Sequence, residues 1–105
     1  MYTSFIEGRE AAATDPTPQP LHGLIGQAAA CVNHDTLSEL KNIAAPAWVV
    51  GGENDIFTPR WMAEEIDAAL PNSSLHLYPE SGHAFHWENL DSFNQGVIDF
   101  IKANG

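Results

Sequence analysis

Asp55 stands in the run Gly51-Gly52-Glu53-Asn54-Asp55-Ile56-Phe57-Thr58-Pro59, and His83, 28 residues later, in Pro79-Glu80-Ser81-Gly82-His83-Ala84-Phe85-His86. A carboxylate that accepts the Nδ1 proton of an imidazole fixes the ring's tautomer. It also stabilises the imidazolium formed when the other nitrogen takes a proton from a nucleophile. Acid–base support of a nucleophile is therefore the chemistry these two residue types can do together. Each has a plainer reading: Asp is a common turn former ahead of a Thr-Pro pair, and a histidine after glycine is often an incidental loop residue. His86 would extend the set to three metal ligands, but no helical spacing or cysteine set accompanies it, so no metal is expected. Phe57, Phe85 and Trp87 flank the two runs. Such aromatics are core residues by default, and at these positions they are also candidates for lining a substrate pocket. Glu88 is read as support for the geometry of the histidine loop.

For Asp55 and His83 to meet, the segments in front of them must be neighbouring strands. Ala47-Trp48-Val49-Val50 is a short apolar run between Pro46 and Gly51-Gly52, the pattern of a strand covered on both faces. Thr58-Pro59 then reads as an N-cap followed by proline at the first helical position. Met62, Ile66, Ala69 and Leu70 recur on one helical face, with Glu64, Glu65 and Asp67 on the solvated one. Pro71-Asn72-Ser73 stops that helix, and Leu75-His76-Leu77-Tyr78 reads as the second strand. Asn89 is placed to cap a last helix whose apolar stripe is Phe93, Val97, Phe100 and Ile101. Strand, helix, strand, helix is the order of an α/β protein with parallel strands joined by a crossover, and such sheets bind ligands beyond the strands' carboxyl ends. Asp55 and His83 both lie there.

The first half is less patterned. Residues 1–22 hold a short helical stretch around Ile6 to Ala13 and then a proline-rich linker, Asp15-Pro16-Thr17-Pro18-Gln19-Pro20, which must be extended or turning. Residues 23–105 form the remainder of the expected domain. Leu24 to Val32 suits a tightly packed helix, with the single cysteine, Cys31, expected as a buried small residue. Asp35 is placed to cap a short turn through Thr36 to Leu40.

Composition excludes whole classes of partner. There are 14 acidic side chains against 4 basic ones, a net charge of -10, and 44% hydrophobic residues, which is an ordinary globular content. Arg9, Lys41, Arg60 and Lys102 cannot form the basic patch that nucleic acid or an anionic membrane surface requires. The uncharged stretch from Pro16 to His34 holds three prolines and several polar residues, so it is no spanning helix. Met1 to Glu10 lacks the basic-then-apolar order of a leader. A soluble cytoplasmic protein is the expectation.

The stretch from Ile43 to Lys102 resembles the C-terminal end of an α/β-hydrolase. The resemblance rests on Pro46-Ala47-Trp48-Val49-Val50-Gly51-Gly52-Glu53-Asn54-Asp55 and on Ser81-Gly82-His83-Ala84-Phe85-His86-Trp87-Glu88. It implies a partial α/β-hydrolase fold: the last two parallel strands with their helices, preceded by a helical lid remnant. By the same resemblance Asp55 matches the acid and His83 the base of a Ser-Asp-His triad. Gln27 to Leu40, including His34-Asp35, is similar to the return from the lid in the subgroup of esterases, enol-lactonases and C–C bond hydrolases. That implies hydrolysis of a small-molecule ester, lactone or C–C bond without a cofactor. The family's nucleophile sits in a Gly-x-Ser-x-Gly turn ahead of the acid, and none of Ser4, Ser38, Ser73, Ser74, Ser81 and Ser92 lies in such a motif. The chain by itself is therefore expected to be inactive and to need an upstream complementing fragment. A second expectation is a non-catalytic assembly module that forms a homo-oligomer through the exposed edges of a two-stranded sheet.

Overall fold

The computed structural model of the chain describes residues 2–105, with side chains from Ile6 onward. The described residues form two compact units, one ending at Asp35 and one spanning Thr36–Gly105. No helix among the described residues is long and apolar enough to cross a membrane.

In the first unit, helices α1 (Tyr2–Thr14) and α2 (Leu21–Asn33) are joined by the proline segment. Asp15 Oδ1 accepts the Thr17 N–H at 2.7 Å and its hydroxyl at 2.9 Å, a turn compatible with the fixed φ of Pro16 and Pro18. Pro20 takes the N-cap of α2, so this helix begins at Leu21, ahead of the apolar run that starts at Leu24. None of its residues is buried, and Leu21, Leu24, Ile25 and Val32 are exposed. Cys31, expected inside, is exposed as well.

The second unit opens with a 3₁₀ segment (Leu37–Asn42), capped at Thr36 rather than Asp35. Strands β1 (Ala47–Gly52) and β2 (Ser73–Tyr78) pair in parallel, in register from Ala47 opposite Ser73 to Gly52 opposite Tyr78. The Ala47 N–H bonds Asn72 O at 2.9 Å and the Glu53 N–H bonds Tyr78 O at 3.1 Å, which carries the ladder one rung further at each end. Alternation along each strand puts Val49, Gly51, Leu75 and Leu77 on one face and Trp48, Val50, Gly52, His76 and Tyr78 on the other.

Helix α3 (Arg60–Ala69) covers the first face. A Cβ added at Gly51 would lie 3.4 Å from Leu77 Cδ2 and 3.7 Å from Ala63 Cβ, so glycine lets the helix sit close. After the one-turn helix α4 (Phe85–Glu88), helix α5 (Leu90–Asn104) covers the second face, where the Trp48 ring stacks with Phe93 and Phe100 at centroid distances of 6.2 and 6.4 Å. The result is a three-layer α/β/α arrangement. Leu70, at the C-cap of α3, is extended with φ -84° and ψ 133°, the conformation that the following Pro71 imposes.

The core is thin. Tyr78, 3% exposed, is the buried hydrophobic residue of the sheet, while Ile66 and Ile101, expected on inward stripes, are 40% and 61% exposed. Two strands are too narrow a platform to cover the full apolar faces of both helices.

Candidate active site

The acid loop leaves the carboxyl end of β1. Asp55 is buried, and its carboxylate is saturated with donors. Oδ1 accepts the Phe57 N–H at 2.8 Å and the Thr58 N–H at 3.0 Å, while Oδ2 accepts the Thr58 hydroxyl at 2.6 Å and His83 Nδ1 at 2.8 Å. Burial pushes this carboxyl up, but the bonds from Thr58, His83 and the Phe57 N–H together outweigh it. Asp55 is thus held well below the usual carboxylate range. An ionised carboxylate only accepts, so Nδ1 of His83 carries the proton of this bond and Nε2 of the neutral ring is left with a lone pair. Oδ1 thus closes the loop's own turn, while Oδ2 holds both the Thr58 hydroxyl and the bond to His83.

The histidine loop leaves β2 through Pro79 and Glu80, whose φ of 58° lies in the left-handed region. Ser81 is buried at 4% exposure. Its carbonyl accepts the Asn54 N–H at 2.9 Å, and its hydroxyl accepts Asn89 Nδ2 at 2.7 Å. The Gly82 N–H donates to Glu88 Oε2 at 3.0 Å, so Glu88 does tie down the loop. The His83 side chain itself is 61% exposed, against 2% for Asp55. Apart from Asp55, its ring meets the edge of Phe57 at a centroid distance of 5.3 Å.

The two loops touch at Gly52. A Cβ there would fall within 3.0 Å of the Ser81 and Gly82 carbonyl oxygens, closer than real side chains approach backbone. Glycine at this position lets the end of β1 slide under the histidine loop. By contrast, the space around Gly82 is open enough for a Cβ, whose nearest neighbour would be Glu88 Oε1 at 3.8 Å.

Asp55, His83 and Phe57 are brought together, whereas Phe85 and Trp87 are placed differently. The half-buried Phe85 ring stacks on Tyr78 at 5.7 Å and meets Phe93 at 5.9 Å. Trp87 is 72% exposed beside His86. Among the described residues no group of three or more His, Cys, Asp or Glu side chains is placed to hold a metal ion. A cavity of about 460 Å³ opens at the opposite end of the sheet, lined by Pro46, Ala47, Asn72 and Ser73.

Sequence reasoning missed Thr58, Ser81 and Asn89. Thr58 and Asn89 carry cap-like signals that pointed to helix starts. Thr58 does not cap, since Pro59 is the N-cap of α3, whereas Asn89 takes the expected N-cap position of α5 but spends its amide on Ser81 and on Phe85 O at 3.1 Å. Ser81 has no local signal, because its partners are distant in sequence.

The family model of the dienelactone hydrolase family matches residues 19–97. A 2-hydroxy-6-oxononadienedioate/2-hydroxy-6-oxononatrienedioate hydrolase of Pseudomonas putida is 42% identical over 65 residues, covering 62% of this chain and 23% of that protein. The chain thus spans about a quarter of the length of the curated relatives it matches. Among solved structures, Rv0554 from Mycobacterium tuberculosis aligns with a TM-score of 0.65 and 30% identity over 70% of this chain and 27% of its own. MGS-MChE2, an α/β hydrolase from the metagenome of lagoon sediments of Mar Chica, Morocco, aligns with a TM-score of 0.74 and 24% identity over 93% of this chain and 44% of its own. The two parallel strands, their flanking helices and these likenesses agree: the chain belongs to the dienelactone hydrolase family and has the fold of the C-terminal portion of an α/β-hydrolase.

Proposed function

We propose that this chain supplies the acid and the base of a serine hydrolase, with Asp55 as the orienting acid and His83 as the general base. The nucleophilic serine and the oxyanion-hole donors would come from an upstream part of the enzyme. The observation that carries this reading is the 2.8 Å bond between His83 Nδ1 and the buried Asp55 carboxylate. In the reaction, His83 Nε2 takes the serine proton as the oxygen attacks the scissile carbonyl. The Asp55 carboxylate stabilises the resulting imidazolium, which then returns the proton to the leaving group. No cofactor enters these steps. The substrate is a small molecule with an ester, lactone or activated C–C bond, and Phe57, whose ring meets His83, forms the apolar side of its pocket, while Phe85 packs on Tyr78 and Phe93 and Trp87 stands beside His86.

Complementation tests this. Mixing the chain with an upstream fragment of a related hydrolase, one that carries the serine turn, should restore hydrolysis of an aryl ester. His83→Ala should return the rate to background, and Asp55→Asn should lower kcat by ~10⁴-fold. Restored activity that Asp55→Asn leaves intact would show that the acid is placed wrongly.

A second reading has its own observation. Within the described sheet β1 is bonded to β2 alone, and Trp61, Ile66 and Ile101 stand exposed on the covering helices. A free parallel edge beside apolar surface favours pairing with another copy. Light scattering on the purified chain decides this: a stable monomer overturns self-assembly, and a dimer that shows no complementation supports it over the hydrolase part.

A further inference from the structure

Thr58 sits where the sequence places a helix cap, and the structure uses it for something else. Helix α3 starts at Arg60 with Pro59 as its N-cap and no side-chain cap bond. Pro59 disfavours helical backbone at the residue before it, so Thr58 stays in the loop. Its hydroxyl reaches back to Asp55 Oδ2 at 2.6 Å, the shortest of the four bonds on that carboxylate.

We propose that Thr58 is a positioning residue for the Asp55–His83 pair, its hydroxyl locking the carboxylate so that Oδ2 faces His83 Nδ1. The catalytic meaning of this role rests on the hydrolase reading above, but the geometry does not. A carboxylate has about four lone-pair sites, and all four are used: two backbone N–H groups on Oδ1, the Thr58 hydroxyl and His83 on Oδ2. Rotating the carboxylate about its last side-chain bond breaks the whole set. Because the ionised carboxylate cannot donate, the hydroxyl must donate, and its direction is fixed. β-Branching restricts the Thr58 side chain further, so the hydroxyl is held ready rather than recruited.

His83 is the partner that depends on this lock. Its side chain is 61% exposed, so packing restrains it little beyond the edge contact with Phe57. The direction of the Asp55 Oδ2 lone pair therefore sets both the orientation of the imidazole and the nitrogen that keeps its proton.

The test is long-range proton–nitrogen NMR on the full chain with ¹⁵N-labelled histidine, which reports the ratio of Nδ1–H to Nε2–H tautomers of neutral His83. The wild-type chain and Thr58→Ser should both show the Nδ1–H form dominant. Thr58→Val, equal in shape but without the hydroxyl, should lower the ratio roughly fivefold, the equilibrium worth of one hydrogen bond. Thr58→Ala removes the same hydroxyl with a smaller side chain and serves if the valine variant does not fold, with the near-ultraviolet circular dichroism of the aromatic cluster as the check on folding. A folded variant without the hydroxyl that keeps the wild-type ratio overturns the proposal. In the complemented enzyme, Thr58→Val should lower kcat with KM little changed. If complementation yields no activity while the tautomer ratio shifts as stated, the hydrolase reading falls and the positioning role stands.

Discussion

The loop that holds Asp55 and the loop that holds His83 leave adjacent parallel strands at the same end of the sheet, yet they restrain their key side chains in opposite ways. In the acid loop the restraint falls on the functional group: four bonds on one carboxylate, 2% exposed. In the histidine loop it falls on the backbone around the group. Ser81 is buried, Asn89 and Glu88 bind the loop, and the imidazole stands 61% exposed. The difference fits the proposed roles, an acid that stays ionised and fixed and a base whose free nitrogen faces outward to a nucleophile. It also means that damage to the first loop acts on charge, while damage to the second acts on geometry.

The largest effect is expected where the two loops meet. Gly52→Ala places a methyl group against two carbonyl oxygens of the histidine loop. Neither is the tip of a flexible side chain, so backbone must move. Overpacking of this kind costs about 1–3 kcal/mol, a large share of a small core's stability. Urea denaturation should show the loss, and the wild-type His83 Nδ1–H tautomer should weaken with it. An alanine variant with unchanged midpoint would mean that the two loops are less tightly apposed than this geometry requires.

The next effect separates charge from geometry. The Asp55 carboxyl is held below its unfolded range near 4, so between these values the unfolded chain binds a proton that the native chain does not. Stability from Asp55 is therefore fully present above about pH 5 and is lost as pH falls through the unfolded and then the native value. Thermal melts between pH 6 and pH 3 should show Tm falling less steeply in Asp55→Asn than in the wild type, although the variant starts lower. Asp15, also held low by the backbone and hydroxyl bonds of Thr17, is retained in both chains and does not alter the comparison. Equal slopes would show that the carboxylate's bonds exist without shifting its proton equilibrium.

How much of this was legible in the sequence depends on whether a residue's job is decided locally. The strands announced themselves because Ala47 to Val50 and Leu75 to Tyr78 are apolar or alternating runs cut by Pro, Gly and Asn. Asp55 and His83 followed, since each lies a few residues past a strand end. Thr58 was misread, and the use of the Asn89 amide missed, because one hydroxyl and one amide can each serve either a helix start or a distant loop. Proximity to Asp55 and Ser81, which only the folded sheet creates, decided between the two uses. The exposure of Cys31 and Ile101 was hidden for the complementary reason. An apolar stripe shows which face a helix would bury, and not whether a surface is there to bury it.

The smallest expected effect tests the histidine loop's backbone alone. Glu80 is the non-glycine residue with positive φ among the described residues, at 58°, and the acid loop has no counterpart. Left-handed backbone costs an ordinary side chain roughly 1–2 kcal/mol, and glycine avoids this cost but loses about 0.5–1 kcal/mol through its freer unfolded chain. Glu80→Gly should therefore stabilise the chain by about 0.5 kcal/mol, a rise of roughly 2–4 °C in Tm for a domain of this size. Glu80→Val, whose branched side chain tolerates this backbone poorly, should shift Tm the other way. Glu80→Gln keeps the backbone preference and removes the charge, so it should leave Tm in place. If the glutamine variant instead matches the glycine one, the charge and not the turn is what loads this loop. The contrast between a loop restrained through its side chain and one restrained through its backbone would then have to be redrawn around electrostatics on both sides.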